Sequence, residues 1–201
     1  MLACCGAEGH EWDRLEVETR WLPKKLRCFI VGENPGDTVS EYFYERLASH
    51  TSDDVAVRRA ILRGLHTQGL IAEPTLDAFQ AGGFLFDHAI RCQLPSSVVT
   101  SEREKAKRYA SRRVENVEHL KHWLSQACVV WVMGHLASNA VANATTEFPK
   151  QRRKISKPPY PGAIDRDSRF FLSEYLSWRT EAKASDFARA FKRFTQERMV
   201  F

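Results

Sequence analysis

The sequence predicts a three-layer α/β/α sandwich around a mainly parallel four-stranded sheet. Four short apolar runs are continuous rather than alternating, as strands buried on both faces are, and amphipathic segments separate them. Two of the runs stop at a glycine, Gly32 and Gly134. A chain of 201 residues is long enough to bury one good core, and no linker rich in Pro, Gly or Ser divides it, so a single domain over residues 1–201 is expected.

The elements follow in order. Cys28 to Val31 is the first strand, and Gly32 ends it. Pro35 then fixes its own φ and Gly36 admits dihedrals closed to other residues, so Glu33 and Asn34 are expected in a stiff turn at the strand's C-terminal edge. Tyr42 to Ser49 suits a short helix, and Ser52-Asp53-Asp54 suits the cap of another running to about Thr67, with Val55, Ala56, Ile61, Leu62 and Leu65 on one side and Gly69 closing it. Thr75 caps a third helical stretch that ends at Gly82-Gly83, and Phe84 to Ile90 returns to strand. Ser101 to Ser125 is the longest helical candidate, with Ala106, Tyr109, Ala110, Val114, Val117, Leu120 and Leu124 at helical spacing. Cys128 to Met133 is the third strand, and His135 to Ala144 is a helix of small residues suited to close packing on the sheet. Thr145 to Ser168 is an irregular crossover, Arg169 to Leu172 the fourth strand, and Ser185 to Met199 a closing amphipathic helix.

Composition narrows the function classes. No apolar run is long enough to span a bilayer, and Glu8, His10, Glu11 and Asp13 interrupt any signal-peptide core, which predicts a soluble intracellular protein. A formal charge of +5 and a pI near 9.0 suit a polyanionic partner. The five cysteines, Cys4, Cys5, Cys28, Cys92 and Cys128, are odd in number and scattered, so reduced thiols are expected. Cys28 and Cys128 lie in apolar strand contexts and suit the core.

Gly32-Glu33-Asn34-Pro35-Gly36 resembles the water-activating motif of the uracil-DNA glycosylase superfamily, a Gly-x-x-Pro-Gly turn after the first core strand. Order along the chain strengthens the likeness. Asp87-His88-Ala89-Ile90-Arg91-Cys92-Gln93-Leu94-Pro95 is similar to the Asn-x-x-Lys-Cys-x-Pro end of the family's second strand, and Val129 to Ala137 to its third, an apolar run closed by Gly-x-x-Ala. Two departures stand out: His88 occupies the place of an asparagine that reads the uracil edge, and Ser173-Glu174-Tyr175 stands where a His-Pro-Ser segment should follow the fourth strand. Some branches hold an iron-sulfur cluster, but Cys4 and Cys5 are adjacent and Val114 to Leu120 has no cysteine, so neither metal nor other cofactor is expected.

Hydrolysis of an N-glycosidic bond in DNA requires extruding the nucleotide, gripping its base and stabilising an oxocarbenium-like sugar while water attacks. A carboxylate near the sugar can orient that water and offset the positive charge. Glu33 is the first candidate for this work and Asn34 the second. The resemblance implies base contacts at Gly32, Phe43, Tyr44 and His88; Phe43 suits stacking, core packing being the plain alternative for the aromatic pair, and His88 suits a hydrogen bond to the base edge.

DNA contacts are expected at Pro35, Gly36, Arg91, Ser173 and Tyr175, and at Arg152, Arg153 and Lys154, a basic run in the crossover. The second basic set, Arg103, Lys105, Lys107, Arg108, Arg112 and Arg113, alternates with acids and suits an ordinary exposed face. The partner implied is DNA carrying a deaminated or damaged base, bound by a monomer. Two other readings are a family member that binds DNA without cutting it, and an unrelated nucleotide-handling α/β enzyme whose Gly32 to Gly36 turn cradles a phosphate. The absence of Gly-x-x-x-x-Gly-Lys-Ser/Thr and Gly-x-Gly-x-x-Gly weighs against the last.

Overall fold

The first apolar run becomes the middle of the sheet because it is apolar on both sides. A computed structural model of the protein describes residues 20–35, 43–44, 56–90, 101–111, 113–147, 162–163, 169–173, 188–189 and 192. Strand β1 (Cys28–Gly32) lies between β2 (Phe84–His88) and β3 (Val129–Met133), parallel to both, and all residues of the three strands are buried. Ile30 is level with Phe86 on one side and Trp131 on the other.

Beyond β3 the sheet differs from the four-stranded expectation. A two-residue strand β4 (Gly162–Ala163) pairs antiparallel with β5 (Phe170–Ser173), which itself runs parallel to β3, giving the order β2-β1-β3-β5-β4. Gly162-Ala163 carries no apolar run or alternation, and it forms a strand by lying beside β5 rather than by any preference of its own.

The described helices follow the expected order with altered boundaries, while the short helix expected over Tyr42 to Ser49 lies, except for the turn at Phe43 and Tyr44, outside the described residues. Helix α1 (Ala56–Thr67) buries Arg58, Ala60, Ile61, Leu62 and Leu65. Gly69 stands just beyond it at φ 68°, a left-handed backbone that glycine adopts without strain. Helix α2 (Leu76–Ala81) begins as expected: the Ala78 N–H donates to Thr75 Oγ1 at 3.2 Å. The long helical candidate is two helices, α3 (Glu102–Ser111) and α4 (Arg113–Gln126). Its buried stripe also differs, since Ala106, Ala110 and Val114 are exposed while Lys105, Tyr109, Asn116, Leu120, Trp123 and Leu124 are buried. Apolar spacing misplaces this face because two of its members are polar. Helix α5 (His135–Ala144) buries Leu136, Ala137, Ala140, Val141 and Ala144. Residues 188–189 and 192 are helical, and the rest of the closing helix lies outside the described residues.

Alternation along β2 brings neighbours to both of its faces. Phe84 and Phe86 point one way, where Phe79 of α2 stacks on Phe84 at 5.4 Å and Phe43 stacks on Phe86 at 4.4 Å. Asp87 points the other way and meets His119 of α4. Among the described residues, no helix is long and apolar enough to cross a membrane.

The two described cysteines part company. Cys28 is fully buried in β1, and burial pushes its thiol far above the usual range. Cys128, expected in the core, is exposed, because it stands one residue before the buried span of β3. A thiol-alkylating reagent is therefore expected to label Cys128 in the native protein and Cys28 only after unfolding, as read by peptide mass spectrometry. Labelling of Cys28 at the native rate of Cys128 would contradict this packing.

Candidate active site

The turn after β1 is held from both sides. On the β2 side its main chain is fixed, the Gly32 carbonyl accepting from the Ala89 N–H at 2.8 Å and the Glu33 carbonyl from the Ile90 N–H at 2.9 Å. On the β3 side its side chain is fixed. Glu33 Oε1 accepts from the Leu136 N–H at 3.1 Å, and Glu33 Oε2 pairs with Lys105 Nζ at 2.5 Å.

These contacts place a carboxylate at the sheet's topological switch. The chain leaves β1 toward β2, then returns across β1 to form β3, so the connections after β1 and β3 diverge at a switch point at the strands' C-terminal ends, the position where open α/β sheets bind ligands. Glu33 reaches across it to the first turn of α5, whose unpaired N–H groups carry partial positive charge. Gly134, between β3 and α5, has φ 93°, and a side chain there would collide with the Glu33 carboxyl group. Glycine at 134 thus satisfies both an unusual backbone and a close approach.

Lys105 corrects its sequence assignment. Expected on an exposed basic face, it is buried, with 7% of its side chain accessible against 8% for Glu33. It sits in the first turn of α3, where the Lys105 N–H donates to the Ser101 carbonyl and Ser101 Oγ accepts from the Glu104 N–H. A cation near a helix N-terminus gains nothing from the helix dipole, so its partner at this place is Glu33. Lys107, paired with Glu104 at 2.6 Å on the surface, does match the exposed face expected for this set.

Asn34 is buried beside Glu33, and its Nδ2 donates to the Pro35 carbonyl at 2.6 Å. Its Oδ1 takes no hydrogen bond from the described residues. Pro35, expected at a DNA surface, is buried as well. Gly32 lies directly under the base-reading candidate: a Cβ there would come within 3.1 Å of the His88 ring and 3.0 Å of Phe86.

His88 ends β2 level with Gly32, buried, with its ring edge-on to Phe86 at 4.8 Å. The preceding Asp87, not singled out by the sequence, fixes this strand end. Its Oδ1 accepts from the His88 N–H at 2.7 Å, and its Oδ2 lies 2.5 Å from His119 Nε2. Nothing local in the sequence marks His119, since the pairing joins residues 32 positions apart.

The aromatic pair belongs to the core. Phe43 packs against Tyr44, Phe79 and Phe86 with centroids 4.4 to 5.3 Å away and 1% of its surface exposed. Tyr44 Oη accepts from the Phe86 N–H at 2.8 Å, satisfying an amide on an edge strand, and burial raises its phenol well above the ordinary value. Packing and edge capping account for both rings. Ser173 ends β5 level with Met133, at the same edge of the sheet. Gly36, Arg91, Arg152, Arg153, Lys154 and Tyr175, like Cys4, Cys5 and Cys92, lie outside the described residues. Among the described residues no cluster of His, Cys, Asp and Glu is placed to hold a metal ion.

No family model matches this chain, and no curated protein matches it.

Gly134→Ala tests the switch-point geometry. The backbone penalty alone is roughly 1–3 kcal/mol, and displacement of the Glu33 carboxylate adds to it, so urea denaturation is expected to show a loss of at least that size. A variant as stable as the parent would contradict both the φ value and the close approach.

Proposed function

We propose that this chain, as one three-layer α/β/α domain, is a DNA glycosylase that hydrolyses the N-glycosidic bond of an extruded, deaminated base without a cofactor. The observation that carries the reading is the position of the Gly32-Glu33-Asn34-Pro35 turn. It lies at the C-terminal edge of parallel strands, at the sheet's switch point, with His88 at the neighbouring strand end. Water attacks C1′ of the sugar, the C1′–N bond breaks with its electron pair leaving on the base, and the proton released by water ends on the base or solvent. The amide of Asn34 orients the water, and Glu33 beside it, bound to the Leu136 N–H and to Lys105, holds the turn in place. His88 offers a ring N–H or a ring lone pair to the polar edge of the base. The crossover residues Arg152, Arg153 and Lys154 grip phosphates, in keeping with the net charge of +5.

One observation favours a second reading, in which the protein binds such DNA without cutting it. Both oxygens of Glu33 are already engaged, by Lys105 and by the Leu136 N–H. Tight binding of uracil-containing DNA with no abasic product would select that reading.

Oligonucleotides containing uracil, hypoxanthine, xanthine or mismatched thymine, single- and double-stranded, are expected to yield abasic sites from at least one deaminated base. Asn34→Ala is expected to lower single-turnover cleavage by about 10²-fold or more with DNA affinity little changed, the scale seen when a group that positions a reactant is lost. Intact substrates throughout the panel at high enzyme excess, without salt-sensitive binding, would end the proposal. Replacing Arg152 and Arg153 together by alanine is expected to weaken DNA binding and to lower its salt slope by about two, near one per lost phosphate contact. An unchanged slope would remove the crossover from the interface.

A further inference from the structure

We propose that Glu33 and Lys105 act together as a positioning pair, a latch that holds the turn in place, and that the chemistry of the turn falls to Asn34. The inference rests on the glycosylase reading for its catalytic consequence and on geometry alone for its structural one. Glu33 spends one oxygen on the Leu136 N–H and the other on Lys105 Nζ, and both side chains are more than nine-tenths buried. With one oxygen on an ammonium group and the other on a backbone N–H, this carboxylate has little left to offer a water or a developing sugar cation. It is well suited to fixing position. The contacts join three separate pieces of chain, the β1 turn, the first turn of α3 and the first turn of α5, around one buried group. Asn34 is the next residue, so whatever fixes Glu33 fixes the amide whose Oδ1 takes no bond from the described residues.

The pair predicts a pattern that a catalytic carboxylate does not. Removing Lys105 leaves the Glu33 carboxylate charged and buried without its counter-charge, whereas replacing both leaves no carboxylate to strand. Lys105→Met is expected to lower single-turnover cleavage by about 10²-fold, the cost of misplacing a group by an ångström, without a matching loss of DNA affinity. Adding Glu33→Gln to Lys105→Met is expected to raise cleavage at least about tenfold above the single variant, because the glutamine carbonyl can still accept from the Leu136 N–H and no buried charge is stranded. Asn34→Ala should abolish that recovery.

The experiment measures cleavage of uracil-containing DNA by the parent, the two single variants and the double variant, with the Leu136 amide resonance followed by NMR in all four. Recovery in the double variant, with a Leu136 signal perturbed in Lys105→Met and restored toward the parent position, supports the latch. A double variant no more active than Lys105→Met, with its Leu136 signal restored, would overturn it by showing that the carboxylate itself is needed. A Leu136 signal indifferent to Lys105 would overturn it as well. Should the parent cleave nothing, the glycosylase reading fails while the Leu136 signal and the melting temperatures of the four proteins still decide the latch. Destabilisation by Lys105→Met and partial recovery when Glu33→Gln is added would sustain it, and additive losses would refute it.

Discussion

A buried carboxylate is the constraint around which this structure is arranged. Moving an ionised Glu side chain out of water costs several kcal/mol even after relaxation, so it persists only where a counter-charge and hydrogen bonds meet it. For Glu33 those partners are Lys105 and the first turn of α5. The demand propagates outward. Lys105 must itself be buried near the start of α3, which the capped turn at Ser101 makes possible. Position 134 must lack a side chain, because the carboxyl group fills the space one would take. Three elements distant in sequence are therefore registered against one another by a single side chain, at the point where the sheet's connections diverge.

Strand identity was legible because parallel strands buried on both faces carry a signal that does not depend on their neighbours: a continuous apolar run stopped by a turn residue. Cys28–Gly32 and Val129–Met133 both show it, Phe84–His88 shows it in its first three residues, and the cap at Thr75 and the glycine at 134 were equally local. What failed was non-local. Gly162-Ala163 is a strand only through its partner, and the α3–α4 stripe could not be found from apolar spacing because Lys105 and Asn116 belong to it. Arg58, buried in α1 with Nη1 donating to the Phe43 carbonyl, is a similar case. Long polar side chains enter a core when a partner waits there, and the partner lies elsewhere in the chain.

The site was half legible for the same reason. Stiffness of the turn follows from Pro35 and its glycines, and its place at a strand's C-terminal edge follows from the run before it. The ion pair of residues 33 and 105 and the Asp87–His119 contact do not follow, since each spans a large sequence separation without a motif. Phe43 and Tyr44 show how residue type alone leaves two uses open. Aromatic residues after a turn fit a stacking role by type, and here the same property, a large apolar area with or without one hydroxyl, has been used to close the face and edge of β2.

Assigning the water to Asn34 constrains the reaction further. An amide oxygen can orient water but cannot take its proton, so on this reading the turn gives little general-base assistance. Hydrolysis then has to run with bond breaking ahead of nucleophilic attack, through a sugar cation formed as the base departs. Such a route favours bases that leave as stabilised anions, and deamination produces these by replacing an exocyclic amine with a carbonyl that spreads the charge. A donor at the base edge would stabilise the charge as it develops, and on the proposed reading that role falls to His88, whose backbone N–H is held by Asp87 at the end of β2. The division of labour is thus internally consistent. On the proposed reaction, leaving-group stabilisation would come from the β2 end and water orientation from the β1 turn, with the buried Glu33–Lys105 pair holding that turn at the switch point between β1 and β3.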